Sequence, residues 1–259
     1  MNCELIHNLS ISDEIFRLDF VWNAQAGMAA PRAGQFFMVK PKRSTIFLAR
    51  PISLAMWHTN ALSFFIARRG KGTRELAAMQ SGEEAELIGP LGNTWTKFLP
   101  PPVKGDRKPI ALIGGGIGLA PLNALLYEEL EYSFDFFAGF KTGFKNIKEE
   151  YALLGTARHK TDNIIIATED GKSGDKGRIT EFLEPKKYAA VCACGPEPML
   201  KVIAVKCKAA KVPCFISMER RMACGTGVCL GCMVKTVNGN RRCCADGPIF
   251  KAEEVIFDE

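Results

Sequence analysis

The sequence of 259 residues has little histidine and no concentrated positive charge. Its three histidines stand far apart, and none belongs to a recognisable catalytic motif, so the sequence predicts no histidine-based catalytic site. The net charge is +6, but the lysines and arginines are scattered among acidic residues and form no dense basic tract. This pattern argues against nucleic acid as a partner.

Features of a secreted or membrane-bound protein are missing as well. The N-terminal residues have neither the basic region nor the apolar region of a signal peptide. The uncharged stretch 109–127 is about as long as a membrane span, but it contains several glycines, two prolines and an asparagine. A strand, a loop and a helix fit this stretch better than a membrane helix. We therefore expect a cytoplasmic protein without a membrane segment.

Cysteine, by contrast, is abundant and unevenly placed. Five of the 10 cysteines fall within residues 224–244. This clustering favours a metal site in a reducing compartment over the disulfide framework of a secreted protein. The overall composition, 47% hydrophobic and 24% charged, is typical of a globular protein. The length predicts more than one domain.

The clustered cysteines have the spacing of an iron–sulfur site. Cys224, Cys229 and Cys232 follow the C-x4-C-x2-C pattern of plant-type [2Fe–2S] centres, and the glycines between them let a loop direct its N–H groups at the sulfurs. The fourth thiol is Cys243 or Cys244, whose side chains cannot point the same way in an extended chain. A zinc site of four cysteines and a disulfide are the alternatives, and the spacing favours iron–sulfur over both.

The pattern of apolar residues predicts a β plus α/β multidomain protein. Residues 1–100 carry short alternating runs that predict an antiparallel β-barrel, with one short helix whose N-cap is Thr73. The proline-rich run 99–109 predicts a domain boundary. Residues 101–214 alternate strands and helices, which predicts a doubly wound parallel α/β domain, and residues 215–259 form a small C-terminal domain with the cysteines.

The individual elements are predicted from the same runs. In the barrel the predicted strands are 15–21, 35–39, 62–66 and 85–88, and the predicted helix is 73–79. In the α/β domain the predicted strands are 110–113, 134–140, 163–168 and 188–194, and the predicted helices are 120–130, 148–154 and 197–211.

A glycine-rich loop lies between the first strand and the first helix of the α/β domain. Gly114, Gly115, Gly116 and Gly118 would let the backbone approach a pyrophosphate, whose charge is met by N–H groups at the helix N-terminus. The loop departs from the standard dinucleotide fingerprint, because Pro121 stands at the place of the third glycine and no carboxylate ends the second strand. A tight strand–helix turn without a ligand is the alternative.

This loop resembles the pyridine-nucleotide loop of the ferredoxin–NADP reductase superfamily. The arginine–proline–x–serine motif of that superfamily is matched by Arg50, Pro51, Ile52 and Ser53. The resemblance implies that Arg50 pairs with the pyrophosphate of a flavin and that Ser53 hydrogen-bonds the flavin ring.

Two further motifs of the superfamily are present. Gly70, Gly72 and Thr73 match its second flavin segment, with the following helix facing the phosphates. The late motif Cys194-Gly195-Pro196-Glu-Pro-Met is placed beside the nicotinamide by the resemblance.

With the C-terminal cysteines included, the whole chain resembles a narrower family, the electron-transfer subunit of NAD-dependent, B-type dihydroorotate dehydrogenase. In that family the fourth ligand immediately precedes x-Asp-Gly-Pro, which implies Cys244 and leaves Cys243 free. The family has an aromatic–arginine pair before the glycine segment. Here Ile66 and Ala67 occupy those places and two arginines follow, so Ile66, Ala67 and Arg68 are the expected flavin contacts, with Arg69 as the alternative to Arg68.

The resemblance implies three cofactors and one partner. FAD would lie on the barrel, NAD in the α/β domain and a [2Fe–2S] cluster near the flavin. FMN, the orotate site and the catalytic base would belong to a separate catalytic subunit, joined as a heterotetramer of two plus two in pyrimidine biosynthesis. Electrons would then pass from that subunit through the cluster and FAD to NAD+, and no residue of this chain is predicted to be catalytic.

Two alternatives to this function stay open, as does the choice of nucleotide. The first is the flavin/iron–sulfur subunit of an NADH-dependent ferredoxin–NADP oxidoreductase or sulfide dehydrogenase, which tends to carry an aspartate among its cluster ligands. The second is a zinc-stabilised binding module without cofactors. NAD is favoured over NADP only by the resemblance.

Overall fold

Alternating apolar residues in the first hundred positions form an antiparallel sheet of seven strands. In the computed structural model, which describes residues 1–23, 29–101, 108–128 and 131–257, these strands are β1 (Asn2–Ser10), β2 (Ile15–Val21), β3 (Phe36–Pro41), β4 (Arg50–Ser53), β5 (Met56–His58), β6 (Ala61–Ala67) and β7 (Glu84–Leu91). Their order is β4-β3-β7-β1-β2-β6-β5. Because β4 near one end of this order contacts β6 near the other, the sheet curls into the predicted barrel.

The barrel interior is filled by aromatic rings from alternate strand positions. Phe16, Phe20, Phe37 and Phe64 are fully buried, and the rings of Phe37 and Phe64 meet edge to face with centroids 5.6 Å apart. Helix α1 (Lys71–Ala78) follows β6. This rigid interior holds the ends of β4 and β6 and the start of α1 in fixed relative positions.

The α/β domain is a second sheet built mainly from parallel strands. These are β8 (Ile110–Gly115), β9 (Phe134–Phe140), β10 (Asn163–Thr168), β11 (Asp175–Lys176), β12 (Ala190–Cys194) and β13 (Cys214–Ser217), and the helices are α2 (Leu119–Tyr127), α3 (Ile147–Lys160) and α4 (Glu197–Ala210). The strand order begins β11-β10-β9-β8-β12-β13. After β8 the chain adds strands on one side of it and then, from β12 onward, on the other side, so the switch point of the sheet lies between β8 and β12. Continuous apolar runs such as Ile110–Gly115 are buried along their whole length, as expected for a sheet covered on both faces.

The C-terminal segment is a cysteine-bearing loop followed by three short strands, β14 (Met233–Thr236), β15 (Gly239–Arg242) and β16 (Ile249–Lys251). Strands β14 and β15 form a hairpin, and β16 pairs antiparallel with β13 at the edge of the second sheet. The loop from Cys224 to Cys232 contains no helix or strand. The segment therefore leaves the second sheet, carries the cysteines and returns to the same sheet.

Most predicted elements are confirmed, and their ends differ by a few residues. The predicted strands 15–21, 134–140 and 163–168 have the observed bounds, whereas the predicted helix 148–154 extends over Ile147–Lys160. The prediction of Thr73 as a helix N-cap is wrong: the N-cap is Gly70, and the Thr73 hydroxyl accepts hydrogen bonds from the N–H groups of Arg69 and Gly70.

Two predictions fall partly outside the described residues. In the predicted helix 120–130, residues 129–130 lie outside the described part of the chain. In the proline-rich run 99–109, residues 102–107 lie outside it. The division into 1–100, 101–214 and 215–259 stays a prediction. Among the described residues, no helix has the length and apolar character needed to cross a membrane.

Candidate functional site

The first turn of α1 and the side chain of Arg50 form a site for an anion on the barrel. A methyl group on Gly72 would lie 2.1 Å from Nε of Arg50, so the missing side chain is what lets the guanidinium lie across the helix start. The N-cap Gly70 is extended and offers no capping side chain, and the first turn contains no acidic residue. Free N–H groups, the helix dipole and a guanidinium thus act together on one anionic group, such as a pyrophosphate.

The remaining residues of the arginine–proline–x–serine motif follow along β4. Ser53 is paired with Phe36 of β3, and Ile52 is 9% exposed and packs in the barrel core. Ser53 is half-buried at the end of β4. The motif is therefore one strand whose first side chain is charged and whose last is a hydrogen-bonding group.

The two arginines after β6 lie in different surroundings. Arg68 donates hydrogen bonds to the carbonyl oxygens of Ser12 (2.9 Å) and Asp13 (3.1 Å), and its guanidinium lies 5.0 Å from the ring centre of Phe16. Arg68 is thus held against the β1–β2 turn. Ile66 is buried in the barrel and Ala67 ends β6, so neither side chain offers a polar group.

The charge of Arg69 reaches Glu219, which follows β13 of the second sheet. Partial desolvation among the neighbouring residues raises the pKa of the Glu219 carboxyl, and the positive charge of Arg69 opposes this shift. Burial raises the pKa of the Cys194 thiol, and the negative charge of Glu219 raises it further. Sequence reasoning did not assign a role to Glu219, although it stands directly before the cysteine loop in the run Glu-Arg-Arg-Met.

The glycine-rich loop packs tightly against the Cys194-Gly195-Pro196 loop at the switch point of the sheet. Gly114 and Cys194 are register partners on β8 and β12, whose carboxyl ends lie side by side. A methyl group on Gly118 would lie 2.3 Å from the carbonyl oxygen of Cys194, and one on Gly115 would lie 2.8 Å from Cδ of Pro196. This is the crevice where open α/β sheets bind nucleotides, and Gly116 (φ 55°) faces open space there.

The close approach at Gly118 gives a stability prediction. We expect Gly118→Ala to lower the free energy of unfolding by about 3 kcal/mol, because the added methyl group meets backbone atoms that cannot rotate away. Gly116→Ala is the matched comparison. It meets no atom within 4 Å and should cost about 1 kcal/mol from its left-handed backbone alone. Urea unfolding measures both values, and equal losses for the two variants would contradict the prediction.

The cysteine loop directs backbone N–H groups at its own sulfurs. The Sγ atom of Cys224 accepts from the N–H groups of Thr226 (3.4 Å) and Cys229 (3.5 Å), and that of Cys229 accepts from Gly231 (3.5 Å). The Sγ atom of Cys232 accepts from the N–H group of Cys244 at 3.4 Å. Such bonds stabilise thiolates and the negative charge of a cluster bound to them.

The four cysteines meet as two pairs. The side chains of Cys224 and Cys229 share a hydrogen bond, as do those of Cys232 and Cys244, and Cys224 is near enough to Cys244 to influence its pKa. Among the described residues, no group of three or more His, Cys, Asp or Glu side chains is arranged to hold a single metal ion. Once deprotonated, these four cysteines would supply the four thiolates that hold a two-iron cluster.

Cys243 has a different hydrogen-bond partner from the other cysteines. Its thiol donates to the carbonyl oxygen of Met218 at 3.1 Å, and burial raises its pKa to about 12. The side chain of Cys244 interacts with that of Cys232 instead.

The N–H groups around Cys224 predict its reactivity in the cluster-free protein. These hydrogen bonds, from Cys229 and then Thr226, lower the pKa of the Cys224 thiol to about 5. Because the thiolate is the nucleophile, we expect iodoacetamide to modify Cys224 already at pH 6, whereas the buried Cys192 and Cys194, whose pKa values burial raises, stay unmodified. Peptide mass spectrometry over a pH series measures this, and a midpoint for Cys224 near pH 9 would contradict it.

Comparison with known proteins agrees with this geometry. Residues 219–256 match the family described as the iron-sulfur cluster binding domain of dihydroorotate dehydrogenase B. A protein of Clostridium perfringens named dihydroorotate dehydrogenase B (NAD(+)), electron transfer subunit, is 41% identical over 229 residues, covering 87% of each chain. A protein of the same name from Clostridium acetobutylicum is 35% identical over 99% of this chain and 97% of that one.

The chain belongs to the family of dihydroorotate dehydrogenase B electron transfer subunits.

Solved structures show the fold of this family member. The structure of an NADH-dependent reduced ferredoxin-NADP oxidoreductase superposes with a TM-score of 0.80 at 24% identity, over 99% of this chain and 90% of that one. A ferredoxin NADP+ reductase from Neisseria gonorrhoeae, with bound FAD and NADP, superposes with a TM-score of 0.61 at 16% identity, over 86% and 94% of the two chains. The expected ferredoxin–NADP reductase fold is therefore confirmed.

An ion pair that the sequence did not reveal joins two of the predicted sites. Arg220, in the stretch before the cysteine loop, donates to the Glu197 carboxylate at 2.8 Å and to the Glu219 carbonyl oxygen at 3.0 Å. Glu197 belongs to the Cys-Gly-Pro-Glu-Pro-Met motif at the start of α4. Glu197 stands inside a motif that the sequence shows, but its pairing with Arg220 depends on the folded chain.

Proposed function

We propose that this chain is the electron-transfer subunit of an NAD-dependent dihydroorotate dehydrogenase, an oxidoreductase of pyrimidine biosynthesis. The observation that carries the proposal is the presence of two cysteine pairs beside a barrel with an anion site, in a chain that belongs to this family. The proposed partner is a catalytic subunit that holds FMN and the orotate site, joined as a heterotetramer of two plus two in the cytoplasm.

The residues of the barrel fit FAD. Arg50 and the N–H groups at the start of α1 would bind the pyrophosphate, and Gly72 keeps the space that Arg50 needs. Ser53 at the end of β4 would orient the flavin ring. The proposed flavin contacts at the end of β6 are Ile66, Ala67 and Arg68. Arg69 is the alternative to Arg68, and its charge reaches Glu219 after β13.

The crevice of the second sheet fits NAD. The loop of Gly114, Gly115, Gly116 and Gly118 would bind the dinucleotide phosphates through backbone N–H groups. Cys194, Gly195 and Pro196 would border the nicotinamide, because their strand ends beside the loop.

The thiols fit a [2Fe–2S] cluster with an inner and an outer side. Cys232 and Cys244 are each 2% exposed and face the protein, whereas Cys229 is exposed and Cys224 is half-buried. Such a cluster exchanges single electrons, whereas NADH carries two. A bound flavin would connect them, because flavins exchange either one electron or two.

The outer side of the loop is the proposed docking surface for the catalytic subunit. Val228 and Leu230 flank Cys229 and are 81% and 58% exposed. Exposed apolar side chains next to a metal ligand are suited to excluding water where two subunits exchange electrons. The domains 1–100, 101–214 and 215–259 are proposed to carry FAD, NAD and the cluster, respectively.

The proposal is tested with the purified chain, loaded anaerobically with FAD, iron and sulfide. We expect it to oxidise NADH with ferricyanide as acceptor and to ignore dihydroorotate until the catalytic subunit is added. Dihydroorotate-dependent NAD+ reduction by the mixture would support the proposal. Turnover of dihydroorotate by the chain alone would contradict it, and so would NADP+ reduction with ferredoxin in place of dihydroorotate. A colourless protein that contains zinc would support a binding module instead.

A further inference from the structure

One asparagine of the barrel binds the chain segment that follows Cys244. The side-chain amide of Asn93, two residues after β7, donates to the carbonyl oxygens of Asp246 (3.1 Å) and Ile249 (2.9 Å). Its carbonyl oxygen accepts from the N–H group of Ile249 at 3.0 Å, and its backbone N–H group donates to Gly247 at 2.7 Å. A single residue thus makes four hydrogen bonds between two domains.

Only a primary amide can make this set of side-chain bonds. Two backbone carbonyls need donors and one backbone N–H group needs an acceptor, which fixes the orientation of the Asn93 amide. A carboxylate in its place would keep the acceptor and lose both donors. The site is therefore chemically specific, although it contains no charge.

The barrel backbone around Asn93 also packs closely against residues 246–249. A methyl group on Gly92 would lie 2.7 Å from Cδ of Pro248, and one on Gly34 would lie 2.5 Å from Cδ1 of Ile249. The barrel backbone thus lies directly against the residues that Asn93 binds, which leaves little freedom for the two domains to shift at this point.

The segment that Asn93 binds, residues 246–249, lies directly after the last of the cluster cysteines. Its first residue, Asp246, follows Cys244 by two positions, and its carboxylate accepts from the backbone N–H group (2.7 Å) and from the side chain of Arg242. Its last residue, Ile249, begins β16 and pairs with Ser217 of β13. Asn93 therefore connects the barrel to the point where the inner cluster ligand and the second sheet meet.

We propose that Asn93 is a positioning residue that fixes the separation between the flavin and the iron–sulfur cluster. This inference rests on the proposed function, because it places FAD on the barrel through Arg50 and the cluster on residues 224–244. Rates of electron transfer fall steeply with distance, so a shift of the cysteine segment relative to the barrel would slow the step between the two centres. Binding of NADH, and hydride transfer from it to FAD, do not involve this contact.

The test separates these two steps in the chain loaded with FAD and cluster. Hydride from NADH brings two electrons to FAD, of which one passes to the cluster and one stays on the flavin. After anaerobic mixing with NADH, flavin bleaching reports the first step and freeze-quench EPR of the reduced cluster reports the second.

In Asn93→Asp and Asn93→Ala we expect the rate of flavin bleaching to change by less than about twofold. We expect the rate of cluster reduction to fall several-fold, because electron transfer slows steeply as the two centres move apart. Asn240→Asp is the matched control. It makes the same chemical change at an exposed position of β15 in the cysteine segment, and it should leave both rates unchanged.

Hydrogen exchange gives a second measurement that does not depend on electron transfer. The Ile249 amide should lose protection in Asn93→Ala, where its acceptor is gone, and retain more of it in Asn93→Asp, where an oxygen remains. If Asn93→Ala does not fold, Asn93→Asp still tests the proposal.

The outcomes distinguish the inference from the function on which it rests. Cluster reduction at the unchanged rate in Asn93→Asp would overturn the role of Asn93 and leave the proposed function intact. Loss of the cluster from both variants with normal FAD content would also overturn it, because the residue would then serve cluster retention. A wild-type chain whose cluster is never reduced by NADH would instead refute the proposed function.

Discussion

Replacing Cys244 by alanine is expected to remove the iron–sulfur cluster from the chain. Its side chain lies beside Cys232, with which it shares a hydrogen bond, and it supplies one of the four thiols that would hold the cluster. Mutation of groups outside the ligand shell already costs about 10–100-fold in metal affinity, and loss of a thiolate ligand should cost more. Iron and acid-labile sulfide in the anaerobically reconstituted protein, together with its visible absorption, measure the loss.

Cys243→Ala is the matched control, because it removes the same thiol one position earlier. The Cys243 thiol is buried and donates to the Met218 carbonyl oxygen. Its loss should lower the free energy of unfolding by about 1 kcal/mol and leave the iron content unchanged. If Cys243→Ala lost the cluster and Cys244→Ala kept it, the ligand assignment would be reversed.

The sequence was sufficient for features carried by contiguous motifs. The cysteine spacing and the Asp-Gly-Pro that follows Cys244 led to a thiol group that the fold brings together as two pairs. Two short motifs separately implied that Arg50 and the segment of Gly70, Gly72 and Thr73 contact the flavin phosphates. The structure adds that the missing side chain of Gly72 leaves the space in which the Arg50 guanidinium lies. In such cases the local backbone and the residue type decide the outcome.

Features that depend on long-range packing could not be predicted in this way. Thr73 looks like an N-cap in the sequence, but the extended backbone of Gly70 starts the helix three residues earlier. Asn93 lies 153 positions before Asp246, and a lone asparagine after a strand has no periodicity or spacing that would reveal its partners. Arg68 and Arg69 are adjacent and identical in type, and only the β1–β2 turn and Glu219 distinguish their surroundings.

Replacing Arg50 by glutamine should weaken the binding of FAD by roughly 100-fold. The guanidinium lies across an uncapped helix start, where charge-assisted hydrogen bonds to a pyrophosphate are worth about 1.5–3 kcal/mol each, so losing two costs about 3 kcal/mol or more. Gly72→Ala should act in the same direction, because its methyl group would occupy the space of the Arg50 side chain. Fluorescence titration of the flavin-free protein with FAD measures both effects.

Arg17→Gln is the control for this prediction, since it removes an equal charge from the same barrel at a residue that is not assigned to the flavin. Arg17 on β2 donates to the Asp19 carboxylate (2.8 and 2.7 Å), so the variant should lose stability and keep the wild-type Kd for FAD to within about twofold. Riboflavin adds a sharper test, because it has the flavin ring without the pyrophosphate. If Arg50 acts on the pyrophosphate, Arg50→Gln leaves the Kd for riboflavin unchanged, and an equal loss for both ligands would mean that Arg50 supports the barrel rather than the anion.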